Sequence, residues 1–231
     1  MEYESQRNVK NYIGNKKLLY FIYKNILKNK LHNSIIIHGS EGIGKSTLVY
    51  YLSKLIFSNY NDKKLDNIDF IDNHHSNLIE NLSHPNFFVL KPSYDIKKKS
   101  YKSLISIEQV RELNKTLNLT NTNNLPNIVL IDSGNLLNNN SSNALLKLIE
   151  EPKNNTYFFI ISDHLNLLLP TIRSRCIKLR VDNLTIEEFK NIIEINDYEF
   201  DENENEYLYY FFNGSPGVCI HYLNNNFKDI E

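Results

Sequence analysis

Between a β-branched run, Ser34 to Ile37, and a helical pattern through Leu48, Tyr51, Leu52, Leu55 and Ile56 lies Gly39-Ser40-Glu41-Gly42-Ile43-Gly44-Lys45-Ser46. The segment matches the full phosphate-loop pattern in the strand-loop-helix setting which that pattern requires. Glycines let backbone N–H groups turn inward onto phosphate oxygens, and the following helix offers its positive end to the same anion. Gly39, Gly42, Gly44, Lys45, Ser46 and Thr47 are therefore candidate ATP-binding residues. Lys45 is spaced to reach the β- and γ-phosphates, and the Ser46 hydroxyl to ligate magnesium. A relic loop that no longer binds nucleotide is the competing reading, disfavoured because every key residue is intact.

The pattern downstream says what kind of sheet carries such a loop. Apolar runs at Phe87 to Leu90, Ile128 to Ile131 and Tyr157 to Ile161 read as buried strands separated by helical stretches. That alternation predicts an α/β fold with a parallel, doubly wound αβα sheet. Ile128-Val129-Leu130-Ile131-Asp132 ends in a carboxylate, so Asp132 joins Ser46 as a candidate magnesium residue. After the segment IKLRV at 177–181 the period turns helical, with Thr185 or Asp182 as N-cap. Further helices are expected over Glu204 to Phe212 and Pro216 to Asn224, the latter capped by Ser215. Residues 1–180 are thus expected to form a nucleotide-binding domain and 181–231 a small three-helix lid.

The chain of 231 residues is 41% hydrophobic and 23% charged, which fits a packed globular protein. Its formal net charge of -1 provides no global basic field for nucleic acid, so DNA contact must be local or made by a partner. Cys176 and Cys219 are too few for a disulfide framework or a cysteine zinc site and read as free thiols, which points to the cytoplasm. The N-terminus is polar and no apolar run approaches membrane-spanning length, so no targeting segment or membrane partner is expected. No repeat of solenoid type occurs.

The stretches Asn59 to Ser83 and Ser93 to Ser103, the latter with Lys97 to Lys99, read as surface insertions, and the Asn clusters at 121–124, 138–140 and 224–226 as loops. His74 and His75 lack a third ligand and read as solvent-exposed side chains rather than a metal site. The cluster Tyr207 to Phe212 could stack bases, but its helical spacing favours core packing.

Two segments carry a family resemblance. Asn143-Ala144-Leu145-Leu146-Lys147-Leu148-Ile149-Glu150-Glu151-Pro152, followed by Leu169-Pro170-Thr171-Ile172-Arg173-Ser174-Arg175-Cys176, resembles the paired signatures of bacterial and eukaryotic clamp loaders, which are AAA+ proteins. The resemblance implies that Arg175 acts as an arginine finger in trans, reaching the γ-phosphate of a neighbouring subunit's ATP. A guanidinium suits that task because it is permanently charged and contacts phosphate through two N–H groups. A surface salt bridge is the alternative use of Arg175.

Ile13-Gly14-Asn15, His84-Pro85-Asn86 and Ile105 to Leu113 resemble the delta-prime type of DNA polymerase III clamp-loader subunit rather than the motor type. In motor members a Glu follows the strand-end Asp, whereas here Ser133 stands at that place. Val218, in Gly214-Ser215-Pro216-Gly217-Val218, stands where motors carry the sensor 2 arginine. The family's four-cysteine zinc module is missing, and the sensor 1 residue within Ser162-Asp163-His164 is left unassigned. The resemblance implies a subunit that binds ATP and Mg through Lys45, Ser46 and Asp132 with little or no hydrolysis of its own. It would work with gamma/tau and delta subunits, a sliding clamp and primed DNA. Family members continue into a helical collar domain, for which these residues hold no counterpart. An ATP-hydrolysing motor subunit of gamma/tau or replication factor C small-subunit type, with Glu150, Glu151 or another carboxylate as the base, is the alternative.

Overall fold

A computed structural model describes residues 6–61, 70–95, 100–101, 103–119, 124–153 and 155–226. The Lys97 to Lys99 run and most of the 121–124 cluster lie outside the described residues.

The elements run, in chain order, α1 (Lys16–Leu27), β1 (Ser34–His38), α2 (Lys45–Asn59), α3 (Asn73–Glu80), β2 (Phe87–Leu90), β3 (Tyr94–Asp95), β4 (Ser100–Tyr101), α4 (Ile107–Leu119) and β5 (Asn127–Ile131). They continue with α5 (Asn139–Glu150), β6 (Thr156–Ser162), α6 (Pro170–Arg173), β7 (Ile177–Arg180), α7 (Ile186–Ile195), α8 (Glu202–Phe211) and α9 (Pro216–Asn226). Five strands form one sheet in the order β2-β5-β6-β1-β7, parallel throughout, while β3 and β4 make a separate antiparallel ladder.

The two middle strands show why the sheet is doubly wound. Every residue of β5 and β6 is buried, so both faces must be covered by helices. In β1, Ile35 and Ile37 enter a core with Leu19, Ile22 and Ile26 of α1 and Leu48, Leu52 and Leu55 of α2. Ile36, pointing the opposite way, enters a second core with Val110 and Leu113 of α4 and Leu145 of α5. Helix α2 is buried almost all round because it lies between the sheet, α1 and α3. Strand β7 is one of the two edges of the sheet, and its Lys178 and Arg180 project into solvent, which discourages another chain from pairing there.

Beyond β7 the three helices close over their own core of Phe189, Ile193, Cys219 and Leu223. Thr185 and Asp201 each start a helix with a capping box, through Glu188 and Glu204. The segment between sheet and lid is fastened by Asn15, whose side chain donates to the Asp182 carbonyl and accepts from the Asp182 N–H, both at 2.9 Å. Tyr209 adds a hydroxyl bond to the Leu184 carbonyl at 2.9 Å.

Several expectations need correction. Part of the Asn59 to Ser83 stretch is helix α3, which packs Ile79 fully into the first core and joins Lys54 to Glu80 at 2.5 Å. Asn138 is the N-cap of α5 and Asn224 to Asn226 lie in α9, so two of the Asn clusters are helix ends rather than loops. The aromatic cluster is split: Leu208, Tyr209 and Phe212 pack on the lid core, while Tyr207, Tyr210 and Phe211 stand in solvent because the helix is aromatic on both faces. His75 is half-buried beside Phe57 and His84 rather than solvent-exposed.

Candidate nucleotide site and arginine edge

Parallel strands bring their C-terminal ends to one edge, where ligands of open α/β sheets collect. The loop Gly39 to Gly44 leaves that end of β1, Asp132 follows β5, and Asp163 follows β6. The register of His38 against Ser162 sets Asp163 level with the start of the loop.

Two glycines in the loop are obligatory. Gly44 has φ +92 where helix α2 begins, and Gly42 has φ +69, both in the left-handed region. A Cβ on Gly42 would lie 2.6 Å from the Val218 nitrogen, so the loop also needs glycine to admit the lid. The Gly217 N–H donates to the Gly42 carbonyl at 2.9 Å, which lays the first turn of α9 directly on the loop. Val218 itself is apolar and gives this contact no cation.

Lys45 and Ser46, at the start of α2, are buried. The Lys45 ammonium donates to the carbonyls of Gly39 at 2.9 Å and Ser40 at 2.6 Å, and pairs with Asp163 Oδ1 at 2.6 Å. The Ser46 hydroxyl donates to Asp132 Oδ1 at 2.7 Å. Burial pushes the Asp132 carboxyl above the usual carboxylate range, against the lowering effect of the Ser46 hydrogen bond. Its second oxygen, Oδ2, is buried with no hydrogen-bond partner. An orphaned carboxylate oxygen beside a hydroxyl is the donor set that a hydrated hard cation satisfies, so Ser46 and Asp132 fit magnesium. Gly39, Gly42, Gly44 and Lys45 frame the phosphate side, and Thr47 continues the helix half-buried.

Asp163 is the residue that sequence reasoning missed. An apolar strand ending in Ser-Asp is a weak signal, and only the β1–β6 register shows that this carboxylate faces Lys45.

Arg175 lies at the other edge. Ile177 pairs with Ile35 in β7, so Arg175 sits near the N-terminal ends of the strands, below the level at which β1 begins. About six residue steps separate that level from Gly39, roughly 20 Å at strand spacing. The side chain is half in solvent, pairs with Glu150 at the end of α5, and donates to the Thr171 carbonyl at 3.1 Å. A shallow depression lined by His32, Ile149, Glu150, Ser174 and Arg175 opens beside it. Arg173, two residues back at the end of α6, donates to Asn166 Oδ1 at 3.1 Å. Cys176 next to them is buried, its thiol pushed up to about 12 by desolvation, and Cys219 is likewise buried at about 11, so both are inert free thiols. Among the described residues no His, Cys, Asp or Glu group could hold a metal by itself. No described helix is long and apolar enough to cross a membrane.

The strand order β2-β5-β6-β1-β7, with the loop after β1 and a helical lid folded back on it, is the AAA+ arrangement of P-loop proteins. Folds of that class bind nucleotides in general. Solved structures agree on the fold. A DNA polymerase III gamma subunit-related protein from Thermotoga maritima superposes with TM-score 0.51 at 19% identity, covering 77% of this chain and 49% of that one. A RuvB variant from the same organism gives 0.54 at 19% identity, over 90% and 60% of the two chains.

Residues 14–185 match the family described as DNA polymerase III, delta subunit, and the chain belongs to that family. A DNA polymerase III subunit delta' from Haemophilus influenzae is 31% identical over 156 residues, 67% of this chain and 43% of the relative. Its counterpart from Buchnera aphidicola subsp. Baizongia pistaciae is 30% identical over 149 residues, 64% and 44% of the two. The chain therefore spans less than half the length of these curated relatives.

Proposed function

We propose that the chain serves as a delta-prime-type clamp-loader subunit in a DNA polymerase III assembly, with residues 1–180 as the nucleotide-binding domain and 181–231 as its lid. In this reading it presents Arg175 to the γ-phosphate of ATP on a gamma/tau neighbour. Together with a delta subunit it supports ATP-dependent loading of a sliding clamp on primed DNA in the cytoplasm. The observation that carries the reading is the placement of Arg175: half in solvent at the edge opposite its own phosphate loop, it is suited to a neighbour's site and out of reach of its own.

Its own pocket would hold ATP and magnesium through Gly39, Gly42, Gly44, Lys45, Ser46 and Asp132, with Thr47 in the first turn. Magnesium bound with ATP would supply charge neutralisation at the phosphates. Turnover in this pocket is expected to be very slow. Ser133, held at φ +69 where motor subunits carry a carboxylate, has no basic group for an attacking water. Glu150, one of the candidate replacement bases, is engaged with Arg175 at the far edge, which argues against that form of the motor alternative.

The test is a titration of labelled ATP against the purified chain with and without magnesium, paired with a hydrolysis assay in the presence and absence of gamma/tau and delta subunits. Saturable, magnesium-dependent binding that Lys45→Ala abolishes, with negligible turnover by the chain alone, is the expected outcome. Robust turnover by the isolated chain, lost in Lys45→Ala, would overturn the proposal.

A further inference from the structure

The Lys45 ammonium has three N–H groups, and all three are taken: by the Gly39 carbonyl, the Ser40 carbonyl and Asp163 Oδ1. The two carbonyls belong to the phosphate loop and brace the lysine within it. Asp163 comes from the end of β6, a separate part of the chain, and is the only anionic partner of the three. Lys45 is buried and Asp163 is only partly exposed, at 4% and 32% for the two side chains, so water screens the pair weakly.

We infer that Asp163 occupies, on Lys45, the place of a terminal phosphate oxygen, so that nucleotide binding at this loop is an exchange of one anion for another. The inference rests on the reading of this pocket as an ATP site. Two features support the exchange. A carboxylate oxygen and a phosphate oxygen are interchangeable acceptors for an ammonium, and an ammonium with no spare donor must release one acceptor to gain another. Asp132 and Asp163 follow the neighbouring strands β5 and β6, the first bonded to Ser46 and the second to Lys45, so the same pocket presents two carboxylates toward an incoming polyanion. Lys91, at the end of β2, and Lys45 are the cations that act on Asp132 from the opposite sign. Asp163 thus sets the affinity of the pocket: it keeps Lys45 neutralised while the pocket is empty, and its withdrawal is a condition for phosphate contact.

Charge removal at constant shape tests this. Affinities for ATP, ADP and adenosine, each with magnesium, are measured by calorimetry for the wild-type chain, Asp163→Asn, Lys45→Met and the double variant. Asp163→Asn should tighten ATP and ADP binding by about tenfold or more, the scale of a one-charge coupling, and leave adenosine unchanged. The gain should vanish in the Lys45→Met background, because the exchange then has no ammonium to act on. A purely structural role would not confine the effect to phosphate-bearing ligands or to a Lys45-containing chain. Because the Asp163 side chain is about one-third exposed, the fold should survive; a thermal melt checks this, and Asp163→Ser replaces Asn should that variant melt early. Binding by Asp163→Asn where the wild-type chain shows none supports the inference. Equal or weaker ATP binding in Asp163→Asn overturns it while leaving the ATP-site reading intact. No binding by either chain overturns both.

Discussion

At the C-terminal ends of the strands Lys45, Ser46 and Asp132 are buried, Ser46 bonded to Asp132 and Lys45 to Asp163, whereas at the N-terminal end of β7 and the C-terminal end of α5 Arg175 and Glu150 meet half in solvent. The first group is organised for something that enters the chain, the second for something that stays outside it. The contrast follows from the topology. The loop leaves a strand buried in the sheet and is roofed by α9, while Arg175 precedes an edge strand and rests on the end of α5 and on the Thr171 carbonyl. Under the proposed function the difference means that Lys45 serves the chain's own site and Arg175 a neighbour's, each according to the end of the parallel strands at which it sits.

The largest expected effect separates the edges outright. In an assembly with gamma/tau and delta subunits, Arg175→Ala should lower the neighbour's ATP turnover by about a thousandfold, the scale of a lost arginine finger. The chain's own ATP affinity should not change. Equal loss of both quantities would break the distinction between the two edges.

A second test asks how firm the N-terminal edge is where it is buried. His84, just before β2, stacks on Phe57 at 3.9 Å. Its Nδ1 accepts from the Asn86 N–H at 3.2 Å, which leaves the proton on Nε2, 3.1 Å from His75 Nδ1. Desolvation first, then His75 and His74, pull its pKa from 6.5 down to about 4. The unfolded chain therefore binds this proton more readily. The stability is present above pH 6.5 and lost as pH falls toward 4, a change on the order of 3 kcal/mol. Melting temperatures of wild type and His84→Gln across that window should differ in slope; parallel curves would remove the histidine from the account.

The smallest effect concerns the exposed pair. Because both partners are about 40% exposed, Glu150→Gln should alter stability by no more than about 0.5 kcal/mol in urea unfolding. A loss of several kcal/mol would mean that this edge is as tightly organised as the pocket.

How much of this the sequence disclosed depends on the range of each interaction. Phe87 to Leu90 is a strand at the residues expected, and β1, β5 and β6 extend by a residue or two, because unbroken apolar runs between turn residues are local signals. Ser46 and Asp132, 86 residues apart in the chain, meet at 2.7 Å. Three features were beyond a local reading. Helix α3 has only Leu78 and Ile79 as apolar residues, too few to show a period, and is held instead by Lys54 and by the Asp72 cap. The Lys45–Asp163 pair depends on which strands are neighbours and in what register. The split of the Tyr207 to Phe212 cluster depends on where α7 and α9 lie, since a helix aromatic on all sides does not announce its buried face.

The first turn of α9 meets the phosphate loop main chain to main chain, the Gly217 N–H on the Gly42 carbonyl, with no room for a Cβ on either residue, and Ser40 adds a side-chain bond to Asn183 at 3.3 Å. A force tilting the lid therefore arrives at the loop in part as a pull on the Gly42 carbonyl. The Gly42–Gly217 contact has no side chain to trim. Substitution can only jam it, and every larger residue at Gly42 or Gly217 would act as a wedge that holds the lid off the loop.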